Sequence, residues 1–368
     1  MVEWSEFPGG AVADPARVWM PTREAVARLR HETWITVRDG VVPGLRILNY
    51  TVKAQFKRMW TDEVRACRGL IVREVDSGYE VVKRPFPKFF NLGEPEAGAV
   101  PQEPFVVYEK MDGALGIIYE RMDGPAVATR GSFNSEPARL ATHLLRERWP
   151  GWRPDPELTF LVEIIHPHWR IVVDYEGRQD LVLLAVVETA TGREVPLEAV
   201  DSPLPRVPRH DGLTDLDTLT AKGEANREGF VVHWPASGRR MKVKFSEYLR
   251  IHRLVTGVTE RRVWDLLATG AYHGSLMAGC PEGYQKWVGR VATELRERHD
   301  SMLNEARDVM ARMPALETRR EQAVWIKDQA KVPPLAFKLL DGASEEEVSE
   351  LIWKFIKPEA SRPYVVEV

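Results

Sequence analysis

The sequence predicts an α+β protein: a mixed α/β domain of antiparallel sheets with flanking helices, followed by an all-helical C-terminal domain. Short apolar runs of strand length recur through the first 245 residues, separated by Gly, Pro, Asp and Ser turn signals. From about Ser246 the composition shifts to longer segments of helical character. The 368 residues suffice for two or three domains with a sizeable core. The boundaries that follow are 1–248 and 249–368.

Charge and cysteine content narrow the function classes. The net charge of −3 leaves no overall basic field, so nucleic acid must be held by a local groove. Cys67 and Cys280 form neither a disulfide framework nor a metal-ligand cluster, and a reducing, cytoplasmic compartment is expected. Met1–Glu6 lacks the basic and apolar blocks of a signal peptide, and no run reaches membrane-helix length. No internal repeat or low-complexity tract is present.

Taken in order, residues 1–20 read as irregular. Thr22 caps a predicted helix over Arg23–Arg30. Trp34–Val37 and Leu45–Tyr50 read as strands split by Asp39-Gly40 and Pro43-Gly44, and a short helix is predicted near Thr51–Trp60. Arg68-Gly69 leads into a buried strand through Glu74. Glycine there permits close approach, and Arg68 suits either a phosphate or an ion pair. Lys83–Asn91 mixes cations, prolines and aromatics, reading either as a nucleotide platform or as a Pro-rich connector.

Phe105–Tyr108 is an apolar run that enters Lys110-Met111-Asp112-Gly113, and Ala114–Tyr119 leaves it. In an extended strand Lys110 and Asp112 share a face. A lysine can be a covalent nucleophile when burial or neighbouring cations favour its neutral amine. Ala126–Arg130 is a further strand ending in an arginine, either solvated or a phosphate contact, and Pro137–Trp149 is an amphipathic helix. Thr159–Ile165 is a buried strand with one carboxylate, Glu163, which needs a partner: a ribose hydroxyl or a core arginine. His166 and His168 lack a third metal ligand at suitable spacing. Leu181–Glu188 is another buried strand, and 191–222 reads as a peripheral insertion. Glu228-Gly229 steps into a strand, Ser237-Gly238 turns it, and the return strand carries Lys242 and Lys244 on one face. Helices are predicted over Trp264–Thr269, Tyr284–Met313, Arg319–Lys331 and Ser344–Lys357, with a capping box at Ser344 and a break at Pro333-Pro334.

Lys-x-Asp-Gly, a strand glutamate, Glu-Gly and Lys-x-Lys thus come in a fixed order. Together they supply a nucleophile, a hydroxyl partner, an acid and phosphate-binding cations, the parts of a nucleotidyl-transfer site. At these residues the chain resembles the covalent nucleotidyltransferases, and within them the phage-type RNA ligase 1 family. Arg65–Gly69, Pro85–Asn91, Thr129–Ser132, Phe160–Glu163 with Arg170–Val172, Glu228-Gly229, Lys242–Lys244 and Tyr248 carry the resemblance.

The resemblance implies an adenylyltransferase domain over 1–248 and an RNA-specificity domain over 249–368. The activity it implies is ATP-dependent RNA ligation. Lys110 takes AMP from ATP, AMP passes to an RNA 5′-phosphate, and a 3′-hydroxyl displaces it. Lys110, Asp112, Glu228, Lys242 and Lys244 would be catalytic. Tyr50, Arg68, Lys88, Lys110, Glu163, Glu228, Lys242 and Lys244 would surround the nucleotide, with Arg130 and Tyr248 serving RNA or phosphate. Magnesium, or manganese in its place, would accompany ATP. Arg130 stands where the family has lysine, and Gly270–Ser275 offers no acidic metal ligand, so no protein metal ligand is assigned. RNA, tRNA or another structured break, would be the partner. No kinase or phosphatase signature is present, so end-healing would need a second protein. Same-class rivals, DNA ligases and capping enzymes, carry a small β-barrel after Lys-x-Lys where helices are predicted here. A silent RNA-binding module should have lost the nucleophile or a phosphate lysine.

Overall fold

The computed structural model describes residues 14–359 apart from 222 and 278, and the side chains of 220, 221, 275 and 276 also lie outside it. The expectation for 1–20 therefore falls outside the described residues as far as 13. Beyond them Pro15–Arg17 makes one 3-10 turn.

The chain divides into two units after Leu249. The first holds three sheets. Ile35–Asp39 (β1), Leu45–Tyr50 (β2), Arg68–Val75 (β3) and Gly78–Lys83 (β4) form an antiparallel sheet in that order. Phe90–Asn91 (β5) and Val106–Glu109 (β6) follow. Ala114–Arg121 (β7), Gly124–Thr129 (β8), Leu158–Ile165 (β9), Asp180–Glu188 (β10) and Glu194–Val195 (β11) make a five-stranded sheet ordered β11-β10-β9-β7-β8. Gly229–Trp234 (β12) and Arg239–Lys244 (β13) join β5 and β6 in a third sheet, β5-β13-β12-β6.

The five-stranded sheet is covered on both faces, which is why its strands are apolar throughout rather than alternating with polar residues. Ile117, Tyr119, Ala128, Leu161 and Ala185 pack against Leu45, Ile47 and Ile71 of the first sheet. Ile118, Val127, Val162 and Ile164 pack with Ala141, Leu144 and Leu145 of the helix Glu136–Arg148. Burying a side chain of this size contributes about 1.5–3 kcal/mol. The outer face of the first sheet is closed by Arg23–His31, Val52–Phe56 and Asp62–Ala66, each capped at its start by a threonine.

Several local expectations change. β4 and the helix Asp62–Ala66 were not predicted; the polar alternation of Gly78–Lys83 was subsumed in the following Pro-rich stretch. The 191–222 segment is no peripheral insertion. Leu197, Val200, Leu204 and Val207 are buried in the core with Leu181 and Leu183. Its backbone bonds Leu183 on β10, then Val107 and Glu109 on β6, strapping two sheets together.

The second unit is helical. Glu282–Arg312, 31 residues long, packs with Glu260–Ala268, Pro333–Leu340 and Glu345–Phe355, and Pro333–Leu340 also packs on Arg319–Gln329. Ala306, Leu335, Val348, Ile352 and Ile356 form its core. Pro333-Pro334 opens a helix rather than breaking one, because proline at the first helical positions sacrifices only N–H groups that would be unbonded anyway. A further helix, Ser246–Gly257, was also unpredicted. Among the described residues no helix is long and apolar enough to cross a membrane.

Candidate active site

The sequence places Lys110-Met111-Asp112-Gly113 between two apolar runs, and the fold makes that tetrapeptide the crossing from one sheet to another. β6 ends at Glu109 and β7 begins at Ala114. Lys110 N still donates to Gly229 O at 2.9 Å, so the ladder with β12 persists to the lysine and stops there. The strand alternation that put Lys110 and Asp112 on one face therefore fails. Lys110 turns toward Glu228, whereas Asp112 turns into the packed interior. Gly113 makes the crossing possible. A Cβ there would lie 2.4 Å from Ile164 O and 3.1 Å from Glu163 Cγ.

Lys110 Nζ lies 2.7 Å from Glu228 Oε2, and Lys244 Nζ lies 2.8 Å from Glu228 Oε1. Glu228, 2% exposed, thus bridges the nucleophile candidate and one phosphate-lysine candidate. A cavity of about 590 Å³ opens beside Lys110, lined by Arg68, Arg130, Glu163 and Lys242 among others. Its walls come from all three sheets.

Glu163 on β9 accepts Gly113 N–H at 3.0 Å and makes no arginine ion pair among the described residues, so the core-arginine alternative does not hold. Burial pushes its carboxyl up to about 7, with Lys110 opposing and Glu228 adding to the shift. Lys242 pairs with no carboxylate among the described residues. Its Nζ sits 4.7 Å from the Phe89 ring centre. Burial, then the neighbouring Lys88, Lys110 and Arg68, hold its amine well below the usual lysine range. Arg68 stacks 4.9 Å from the Phe86 ring centre, and its buried Nη1 has no hydrogen-bond partner. Burial lowers its pKa. Rings beneath cations offset part of the cost of desolvating them, by ~0.5–2 kcal/mol each.

Six expected residues are not on the cavity wall: Glu228, Lys244 and Asp112, and with them Lys88, Tyr50 and Tyr248. Lys88 faces an adjoining space of about 340 Å³ that shares Phe86, Phe89 and Arg240 with the main cavity, and burial, then Arg68, brings its amine down to about 8. Tyr50 is buried behind Arg130, accepting a 2.6 Å hydrogen bond from Arg130 Nη1, and supports the arginine instead of lining the pocket. Tyr248, 3% exposed, donates to Asp112 Oδ1 at 2.8 Å, so it lies inside the fold and not on an RNA-facing surface. Asp112 Oδ2 accepts from Val172 N and Val173 N, both at 2.9 Å, and Asp112 N donates to Tyr175 Oη. Both oxygens of Asp112 are thus used to clasp the crossing to the 172–175 loop and the helix that begins at Ser246.

Asn49, Glu109 and Arg240 also line the cavity and were not singled out. Asn49 Oδ1 is buried without a partner. Glu109 accepts from Arg227 Nε at 2.9 Å and lies 2.8 Å from His210 Nε2. This second carboxylate–cation pair sits one residue before Lys110 and one before Glu228. Its signal was the Glu-Lys and Arg-Glu adjacency at the two motifs. Arg240 pairs with Glu194, a contact that no local pattern announces.

A divalent ion fits this donor set only as a companion of a nucleotide. Both oxygens of Glu228 are held by lysines, and both of Asp112 by N–H and O–H donors. Glu163 Oε2 is the one site carboxylate oxygen without such a partner among the described residues. Magnesium commonly binds through one or two carboxylates plus substrate phosphates.

Comparison with known proteins bears on the same residues. A family model described as RNA ligase matches residues 66–204. The chain is 26% identical over 318 residues to an RNA ligase of Rhodothermus phage RM378, covering 66% of this chain and 71% of that protein. It is 32% identical over 247 residues to RNA ligase 1 of bacteriophage TS2126, covering 58% of each. A solved archaeal ATP-dependent RNA ligase shares 20% identity at a TM-score of 0.43, covering 85% of this chain and 87% of that one. The matched stretch runs from the threshold of β3 through Lys110 and Glu163 to the strap, and over it the chain is similar to phage RNA ligases.

Proposed function

We propose that this chain is an ATP-dependent RNA ligase that joins 5′-phosphate and 3′-hydroxyl ends through lysyl-AMP and adenylylated RNA. The observation that carries the reading is Lys110 Nζ, 2.7 Å from buried Glu228, opening on a cavity that holds Arg68, Arg130 and Lys242. A lysine in that setting meets phosphate-binding cations and a carboxylate that can take its proton.

In the first step Lys110 Nζ gives a proton, with Glu228 Oε2 as the acceptor within reach. Its lone pair then attacks the α-phosphorus of ATP while the bond to the bridging oxygen breaks, and pyrophosphate leaves. Lys242 and Arg68 neutralise the phosphates. Lys244 holds the other oxygen of Glu228, keeping the carboxylate in place. Glu163 Oε2 is the hydroxyl partner for the ribose, and magnesium bound with ATP would supply charge neutralisation at the phosphates. In the second step an RNA 5′-phosphate oxygen attacks the same phosphorus and the N–P bond breaks, freeing Lys110. In the third a 3′-hydroxyl attacks the 5′-phosphorus, loses its proton and expels AMP. Arg130, braced by Tyr50, is the contact for the RNA phosphate. Asp112 and Tyr248 position the crossing that carries Lys110. Residues 1–248 constitute the adenylyltransferase domain and 249–368 the domain that selects structured RNA, tRNA included. A separate kinase and phosphatase prepare the ends where they are damaged.

The test is incubation with α-labelled ATP and magnesium, followed by denaturing electrophoresis and then by sealing of 5′-phosphorylated RNA and DNA. Label should stay on the wild-type chain and be absent from Lys110→Ala, a loss of at least a hundredfold. RNA should be sealed in preference to DNA. An unlabelled wild-type chain whose intact mass shows no AMP already attached would leave a silent RNA-binding module as the reading.

A further inference from the structure

Between Tyr50 and Trp60 the chain reads Tyr-Thr-Val-Lys-Ala-Gln-Phe-Lys-Arg-Met-Trp, cations interleaved with aromatics. Thr51 caps the helix Val52–Phe56 by accepting Ala54 N–H. Ala54 is the helix's sole buried residue. Val52 and Phe56, four residues apart and so on one face, are 86% and 81% exposed. The core does not account for them.

The surroundings are basic. Lys57 Nζ lies 5.9 Å from the Phe56 ring centre. Lys53 Nζ is anchored to Thr33 Oγ1 at 2.6 Å and sits 4.6 Å from the Trp34 ring centre. Neither pairs with a carboxylate among the described residues. Arg58, at φ 53°, turns the chain and pairs with Glu96, which brings Trp60 back against Tyr50 at 5.1 Å between ring centres. Tyr50 in turn holds Arg130 at the cavity wall. Lys88 lies 5.4 Å from the Trp60 ring centre. Trp60 with Lys88 and Tyr50 with Arg130 thus form two adjoining aromatic–cation pairs next to the cavity, and Phe56 with Lys57 forms a third on the exposed helix four residues earlier in the chain.

We propose that the exposed Val52/Phe56 face, flanked by Lys53 and Lys57, is a docking platform for the single-stranded RNA segment whose end enters the cavity. Bases stack on aromatic rings whatever their sequence, while cations follow the backbone phosphates. Unpaired lysines beside an exposed phenylalanine match that polyanion. They would be a poor match for an acid-poor apolar partner or a second copy of the same basic face. The inference rests on the RNA-ligase reading for the purpose of the platform, but not for its detection.

The experiment uses the full chain, wild type and Phe56→Ala, Phe56→Trp and Lys57→Ala. Binding of a fluorescent 5′-phosphorylated oligoribonucleotide is titrated at several salt concentrations, and lysyl-AMP formation is measured without RNA. Phe56→Ala should weaken RNA binding about tenfold or more, the scale of one lost base stack. Phe56→Trp should restore it. Lys57→Ala should weaken binding and flatten its salt dependence by about one phosphate contact. Lysyl-AMP formation should stay at the wild-type level in all three. Unchanged RNA affinity in Phe56→Ala overturns the platform, as does a change confined to oligomeric state. A wild-type chain that forms no lysyl-AMP yet loses RNA affinity through Phe56→Ala would overturn the ligase reading and keep the platform.

Discussion

Glu163 is a half-buried carboxylate facing the cavity, with no arginine ion-paired to it among the described residues. Burial, only partly opposed by Lys110, raises it from an ordinary 4.5 to about 7. The folded chain therefore keeps a proton that the unfolded chain releases between those values. The stability this proton contributes is complete below about 4.5 and is lost as pH rises through about 7. Glu163→Gln retains an oxygen for Gly113 N–H and removes the titration. The nucleotide-free variant should be more stable than wild type at pH 8 by ~1–3 kcal/mol, with the gap closing toward pH 4.5, as read by thermal melts across that range. A gap that does not change with pH would refute the assignment. The same residue as a ribose partner accounts for keeping an acid where it costs stability, since sites tuned for binding commonly sacrifice some.

At the scale of elements, the crossing Lys110–Gly113 matters more than any strand. Its geometry depends on one missing side chain, because the backbone of Ile164 occupies the place a Cβ would take. Gly113→Ala should cost about 2 kcal/mol or more in denaturant unfolding and should depress lysyl-AMP formation, because relief of the clash moves Lys110 away from Glu228. Gly289→Ala is the comparison. Gly289 lies within the helix Glu282–Arg312 with nothing within 4 Å of the added atom, and it should gain about 0.5–1 kcal/mol. Equal effects from the two substitutions would show that the crossing tolerates a side chain. The strap formed by 197–210 belongs to this scale too, for it joins β10 to β6 and delivers His210 to Glu109.

For the whole molecule, every residue proposed for nucleotide chemistry lies in the unit that ends at Leu249. A chain ending there, shown to be folded by its melting transition, should retain most lysyl-AMP formation. It should lose sealing of structured RNA by tenfold or more relative to the full chain. Equal loss of both activities in the folded truncation would deny the helical unit a substrate-selecting role. Labelled ATP and a nicked stem-loop measure the two steps separately.

The residue types needed for the chemistry and their order along the chain were legible without coordinates. Lys110, Glu163, Glu228, Lys242 and Lys244 each stand in or beside an apolar run, and strand periodicity and turn residues are local properties that neighbours in sequence express. The helical last third was legible for the same reason, although Pro333 was misread because its effect depends on where in a helix it falls. Pairing was not legible. Asp112 and Tyr248 meet across 136 positions, Tyr50 and Arg130 across 80, and Glu109 and Arg227 across 118. A side chain's partner depends on how sheets stack, and no local pattern carries that information. The sequence by itself determined which groups this protein could use, and the tertiary structure alone decided that Glu228 would hold Lys110 and Lys244 together while Asp112 turned inward to brace them.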